Sequence, residues 1–424
     1  MKQNTLIVFF VFAVFFVISF LTNSLAPLIP DIIASFGLSN SIAGFLPFSF
    51  FIAYAVMSLP AGLLIEKYSQ KKIILAGFIA SFVAALSFAL LPTFGVALIS
   101  FFVIGLGMAM LQVVINPLLR ESGGESNFAF NSIVAQLFFG SASFVSPLLY
   151  SYLVHHLHTS DTNLVVSIFS YLVANETKWI SLYWIFAAIS LLMITVTLFI
   201  KAPEIKLTDG DKVDMGKSFT ELIHNKFVIL YFTGIFCYVG TEQGIANWIS
   251  KFLEIYHSQD PSTMGAHVIS YFWGLMTIGC FVGLVLLKLF DSKRVLLVSG
   301  ICALVSFSVA LFGNLNQALF CFPLTGLFLS VMWGIIFSLA LNSVPRHHGT
   351  YSGILCTAIS GGAIVPLIIG ALSDVTGLRG AMTVIFITLS YIISVSIWSR
   401  PLISNATIKD WWKLLLLSKK TNNK

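Results

Sequence analysis

Few side chains in these 424 residues can do chemistry, and the most telling ones sit inside apolar runs. Glu242 is the clearest. It lies fifteen residues beyond Phe227, where a long apolar run begins, which is about 22 Å along a helix. In hydrocarbon a central charge costs about 2.5–3.5 kcal/mol on insertion scales. The carboxylate therefore needs a partner helix or a watery crevice, and the crevice would suit a group that takes up and releases a proton. Gln112 and Asn116 stand four apart and share one helix face, with Pro117 interrupting the hydrogen-bond ladder directly after them. Gln136, Asn23 and Asn247 carry the same kind of amide, whose donors and acceptor match vicinal hydroxyls. Trp248, Trp273 and Trp333 offer flat apolar faces that can cover the C–H side of a ring-shaped solute. Each residue has a plainer use as well: amides bond between helices, and tryptophans pack.

The elements that must hold these residues follow from composition. Hydrophobic residues make up 58% and charged residues 9%, against about 25% charged in a soluble chain. Mean hydropathy is +0.95. Too few charges remain to cover a soluble surface, which excludes a cytosolic enzyme. The net charge of +6 is scattered through short connections and forms no stripe, so nucleic acid is excluded as a partner. The five cysteines fall in apolar runs without metal-type spacing, and they read as packing residues rather than disulfides or zinc ligands.

Runs of about 20 apolar residues occur near Leu6–Ile29, Ile42–Ile65, Ile73–Leu91, Phe94–Leu119, Asn131–Val154 and Trp179–Ile200. A second set lies near Phe227–Ile249, Val268–Leu289, Val295–Phe312, Ala318–Leu341, Tyr351–Leu372 and Met382–Trp398. With both termini cytoplasmic, 20 of the 23 Lys and Arg residues fall inside; only Lys178, Lys251 and Arg379 fall outside. The positive-inside rule thus supports twelve spans. The expectation is an all-α membrane protein of two six-helix bundles, 1–200 and 227–400. A cytoplasmic linker at 201–226 joins them, and a tail at 401–424 carries an interfacial helix around Trp411 and Trp412. The outer loop holding His155, His156 and His158 lacks a fixed ligand geometry and reads as solvated.

An internal repeat supports the two bundles. Gly62, Leu63, Lys67, Lys72 and Leu75 recur 221 positions later as Gly283, Leu284, Lys288, Lys293 and Leu296. Gly105-Leu106 recurs as Gly326-Leu327 at the same offset. Duplicated halves around a midplane site are the architecture of secondary transporters. Gly240 and Gly244 flank Glu242, and local unwinding there would free backbone groups towards the site. Gly105, Gly107 and Ala109, like Gly361, Gly362 and Ala363, permit close helix approach. Glu66, Lys67 and Asp374, placed near the inner ends of their spans, are expected to hold an inner gate.

The loop after the second run resembles the Gly-x-x-x-Asp-Arg-x-Gly-x-Lys signature of the major facilitator superfamily, with Glu66 and Lys67 in the acidic and basic places and Ser69 where the glycine stands. Within it the chain resembles the fucose/glucose/galactose–cation symporter family. The matching stretches are Pro60 to Lys67, Leu111 to Pro117, Ala135 to Phe138, Phe236 to Gln243, Ser352 to Pro366 and Gly370 to Gly377. The resemblance implies uptake of a hexose or deoxyhexose across a bacterial inner membrane by alternating access, driven by H⁺ or Na⁺. It implies no cofactor, no catalytic step and no resident metal, with a sugar and the lipid bilayer as partners and a monomer as the unit. It also directs Gln112, Asn116 and Gln136 towards sugar contact. Two departures matter: the acids that the fucose branch carries on spans one and four are Ala26 and Gln112 here, which leaves any ion coupling to Glu242 and keeps uncoupled facilitation open as an alternative. Trp333-Gly334 replaces a Phe-Pro-like pair. The alternative reading is an exporter of a small metabolite or drug with the same fold; a transport-derived sugar sensor has no signalling domain to support it.

Overall fold

The structure is a computed structural model and describes residues 5–123, 128–159, 164–200, 221–344 and 348–400. Most of the expected linker and the tail lie outside these residues. Among them, eleven helices are long and apolar enough to cross a membrane, and a further apolar helix, Val384–Trp398, is shorter. The chain is an all-α multi-pass membrane protein.

Several helices run past their apolar runs. The first span continues through Thr5–Asn23 and Leu25–Phe36, with a break at Ser24. The seventh, Lys226–His257, extends two turns beyond Ile249, and the eleventh reaches Ala381. Their ends carry polar residues that leave the hydrocarbon, so hydropathy truncates them. An unexpected short helix, Leu164–Leu172, lies in the connection after the fifth span, Phe128–His156.

Close helix crossings are set by small residues. A Cβ at Gly105, in the fourth span Phe94–Gly123, would come within 2.3 Å of the Phe50 carbonyl in the second span, Phe45–Lys67. A Cβ at Gly326, in the tenth span's first piece Leu315–Leu329, would come within 2.4 Å of the Phe272 carbonyl in the eighth span, Ala266–Leu289. Helix start sites match too. Ser69 precedes the third span, Gln70–Leu90, and Asp291 precedes the ninth, Ser292–Phe312, at an offset of 222 (291 − 69). The fourth and tenth spans begin at Phe94 and Leu315, an offset of 221 (315 − 94). The turn before the tenth span is one residue shorter, which shifts the register by one. Lys71, not Lys72, is therefore the counterpart of Lys293. Lys71 Nζ donates to the carbonyls of Leu198 (2.6 Å) and Ile200 (2.9 Å) at the end of the sixth span, Ser181–Phe199. Lys293 Nζ does the same for Ser399 (2.7 Å), after Val384–Trp398. Each lysine satisfies orphan carbonyls at a helix C-terminus, where positive charge is favoured.

Candidate functional site

Glu242 lies mid-way along an unbroken helix. The expected unwinding at Gly240 and Gly244 does not occur. Both glycines instead admit neighbouring helices: a Cβ at Gly240 would meet Val365 at 2.4 Å, and one at Gly244 would meet Ile385 at 2.9 Å. A helix turns about 100° per residue, so both glycines point away from the Glu242 side. Tyr238, four residues earlier, shares it. Glu242 is half-buried and forms no ion pair among the described residues. Gln243 Nε2 donates to its Oε1 at 3.2 Å, and the Tyr238 hydroxyl is placed to donate as well. Cys280, on the eighth span, faces it. Tyr238 in turn meets Trp333, in the tenth span's second piece Met332–Leu341, at 6.0 Å between rings, and Trp333 stacks on Phe337 at 5.8 Å. The carboxylate, a phenol, an amide and an indole thus gather where the seventh, eighth and tenth spans meet. A Cβ at Gly334 would meet nothing within 4 Å.

On the other side of the molecule, Asn23 Nδ2 donates to Ser143 Oγ (2.9 Å) and Ser19 Oγ (3.3 Å), joining the first and fifth spans. Its Oδ1 is buried without a partner among the described residues, as is Gln112 Oε1 on the fourth span. Unmet buried acceptors of this kind carry a cost and are what a hydroxylated solute would satisfy. Gln136 is exposed, one turn from Gly140, where the fifth span abuts Thr277 of the eighth. The side chain of Asn116 lies outside the described residues, as do those of Glu66 and Lys67.

Other expected site residues are placed differently. Asn247 is buried and donates to the Gln243 carbonyl of its own helix at 2.8 Å. Trp248 is fully enclosed, and its indole donates to the Pro366 carbonyl at 3.2 Å; it braces the eleventh span and offers no free face. Trp273 is buried, with an indole N–H that lacks a partner among the described residues. Asp374 requires a correction. It lies at the opposite end of the molecule from Glu66, because the eleventh span runs in the direction of the first. Its carboxylate accepts the backbone N–H groups of Asn40 (3.1 Å) and Ser41 (3.0 Å), at the start of the short helix that leads into the second span.

At that end, here the far face, the fifth span and the segment around the start of the eighth are bonded to each other among the described residues. His155 Nε2 lies 3.2 Å from Ser262 Oγ and 3.7 Å from Asp260 Oδ2, and Ser270 Oγ donates to the Phe144 carbonyl at 2.7 Å. Asp260 sits outside the spans. Burial works against its charge, but hydrogen bonds from Thr263 and Ser262, with His155 beside it, outweigh burial and hold its carboxyl below the usual range. The three histidines turn to separate partners: His156 to the Tyr152 carbonyl (2.8 Å), His158 to that of Val173 (2.7 Å). No group of metal-ligating side chains occurs among the described residues. Tyr238, Gln243, Ser143 and Asp31 were not singled out from the sequence. Tyr238 carried a usable signal, four positions before Glu242.

The model of the Major Facilitator Superfamily matches residues 11–366. A glucose/galactose transporter of Brucella abortus (biovar 1, strain 9-941) is 30% identical over 391 residues, covering 89% of this chain and 90% of the relative. The L-fucose-proton symporter of Escherichia coli K12 is 26% identical over 372 residues, covering 82% and 83%. Among solved structures, the E. coli fucose:proton symporter superposes with a TM-score of 0.66 at 20% identity, covering 94% of this chain and 99% of that one. An inward-facing bacterial homologue of the human lysosomal transporter Spinster superposes with a TM-score of 0.78 at 14% identity, covering 94% and 98%. The chain belongs to the major facilitator superfamily, within the family of fucose, glucose and galactose transporters.

Proposed function

We propose that this protein is a secondary transporter that takes up a hexose or deoxyhexose together with a proton. Twelve spans form two six-helix halves, with both termini and most basic loops on the cytoplasmic side of a bacterial inner membrane. The far face is then the outer face, and the bonds across it fit a conformation closed to the outside.

The observation that carries the reading is the setting of Glu242: an acid at mid-depth, without a cationic partner among the described residues and beside neutral donors. A hard cation needs several oxygen ligands. Here the helix carbonyls stay in their ladder and the side chains facing the acid donate, which favours a proton over Na⁺. Sugar hydroxyls would satisfy the unmet oxygens of Gln112 and Asn23, with Gln136 and Asn116 beside them and Trp333 covering the apolar face of the ring. Asn247, Trp248 and Trp273 support this site, Asp374 latches the outer gate, and Glu66 with Lys67 serves the inner one. The test is uptake of a panel of labelled hexoses into proteoliposomes, with pH and Na⁺ gradients imposed separately. Accumulation of one sugar under the pH gradient alone is expected; accumulation under Na⁺ alone would overturn the proton assignment, and export along the opposite vector would overturn uptake.

A further inference from the structure

The first span carries an acid that the Glu242 scheme leaves unused. Asp31 sits near the far face, half-buried, on the helix piece Leu25–Phe36 that packs against the seventh span and the turn Pro261–Gly265 of the opposite half. Its hydrogen-bond partner is the neutral hydroxyl of Tyr150, on the fifth span. The charged groups facing it across the seam are Asp260 and Glu254, both acidic. Each of these has company of its own. Glu254 pairs with Lys251 at 2.8 Å, and Asp260 pairs with His155 and with Ser262 and Thr263. Asp31 has no ion pair among the described residues. Lys178 and Glu176 line the same cavity of about 340 Å³, with Asn175, Ser35 and Trp179, but Lys178 does not reach ion-pair distance.

Closing the far face therefore encloses a carboxylate that has no cation of its own, in a seam whose other acids are already partnered. A charge withdrawn from water without a counter-ion is costly, and like charges nearby add to that cost. The cavity gives Asp31 a route for protons at the far face even while the halves are closed. We propose that Asp31 is a proton-sensitive latch of the outer gate: ionised and without a cation, it resists being enclosed between the halves; protonated, it lets them close. This rests on the reading that the halves rock, and it is separate from the role of Glu242. The latch makes closure itself conditional on a proton, so that the gate shuts less readily on an unprotonated carrier.

The test measures the far-face distance between spin labels at Ala174→Cys and Val375→Cys, exposed positions on opposite halves. The full chain is reconstituted in lipid with its five native cysteines replaced. Between about pH 8 and about pH 5, above the ordinary carboxylate value of about 4, the closed fraction should rise several-fold. Asp31→Asn should hold the closed distance at both pH values, and Asp31→Glu should keep the response. An unchanged response in Asp31→Asn overturns the latch, as does a response lost in His155→Gln but kept in Asp31→Asn, which would make the histidine the sensor. Absence of any pH response in the unsubstituted gate also overturns it. Repeating the series with Glu242→Gln separates the two roles: a surviving response upholds the latch even if Glu242 plays no part in coupling.

Discussion

The Asp374 carboxylate accepts the backbone N–H of Asn40 at 3.1 Å, and with the neighbouring bond to Ser41 the eleventh span caps the start of the second. The donors belong to one half and the acceptor to the other. A helix cap that crosses this seam can exist only while the two segments are together at the far face. Beside it, Gly370 leaves room for the Asn40 carbonyl, which an added Cβ would approach to 2.6 Å.

Removing that cap should loosen the gate. A side-chain cap contributes about 1 kcal/mol, so Asp374→Ala should lower the closed-to-open ratio roughly fivefold. The check is alkylation of Ile29→Cys, a buried position under the seam, by a membrane-impermeant reagent applied to the far face. An unchanged rate would remove Asp374 from the latch.

Trp248 should behave as a brace. Trp248→Phe keeps most of the ring and loses the bond to the Pro366 carbonyl, costing about 1 kcal/mol in unfolding stability. Sugar KM should stay within about twofold, because no face of the indole is free. A large rise in KM with unchanged stability would return Trp248 to the binding site.

Asn23 and Ser143 should be coupled. Interhelical hydrogen bonds in membranes average about 0.6 kcal/mol in double-mutant cycles, and that is the interaction energy expected for Asn23→Ala with Ser143→Ala. Asn23→Ala should also raise sugar KM, since its unpartnered Oδ1 is offered to the solute; Ser143→Ala should raise it less.

The Asp260 turn carries its own pH signature. Its carboxyl is held low in the folded protein, so its stabilising effect is full above the ordinary value of about 4 and fades as pH falls through the lowered one. In a His155→Gln background, the stability gap between the parent and Asp260→Asn should stay level down to about pH 4 and narrow only below it. A gap that widens on acidification would contradict the sign.

The spans were legible because lipid imposes length and hydropathy on every crossing helix. Their ends were not, since Phe36, His257 and Ala381 lie where helix and hydrocarbon part company. The repeat was legible too, but its register slipped by a residue because a shortened turn leaves no hydropathy signal. Within the site, proximity in sequence misled. Trp248 stands six positions after Glu242, about 240° around the helix, and so faces the eleventh span instead. Gly240 and Gly244 likewise flank Glu242 along the chain while facing Val365 and Ile385. Asp374 falls at the far face rather than the inner one because the eleventh span runs in the direction of the first. The setting of Asp31 in the seam was out of reach, for it depends on how distant segments meet.

The most direct test of the account is sugar movement by Glu242→Gln in proteoliposomes, measured in two modes on one preparation. The account predicts that accumulation driven by a pH gradient is abolished while counterflow exchange persists, because a neutral amide keeps the halves moving but carries no proton. Full uphill accumulation by that variant would contradict it.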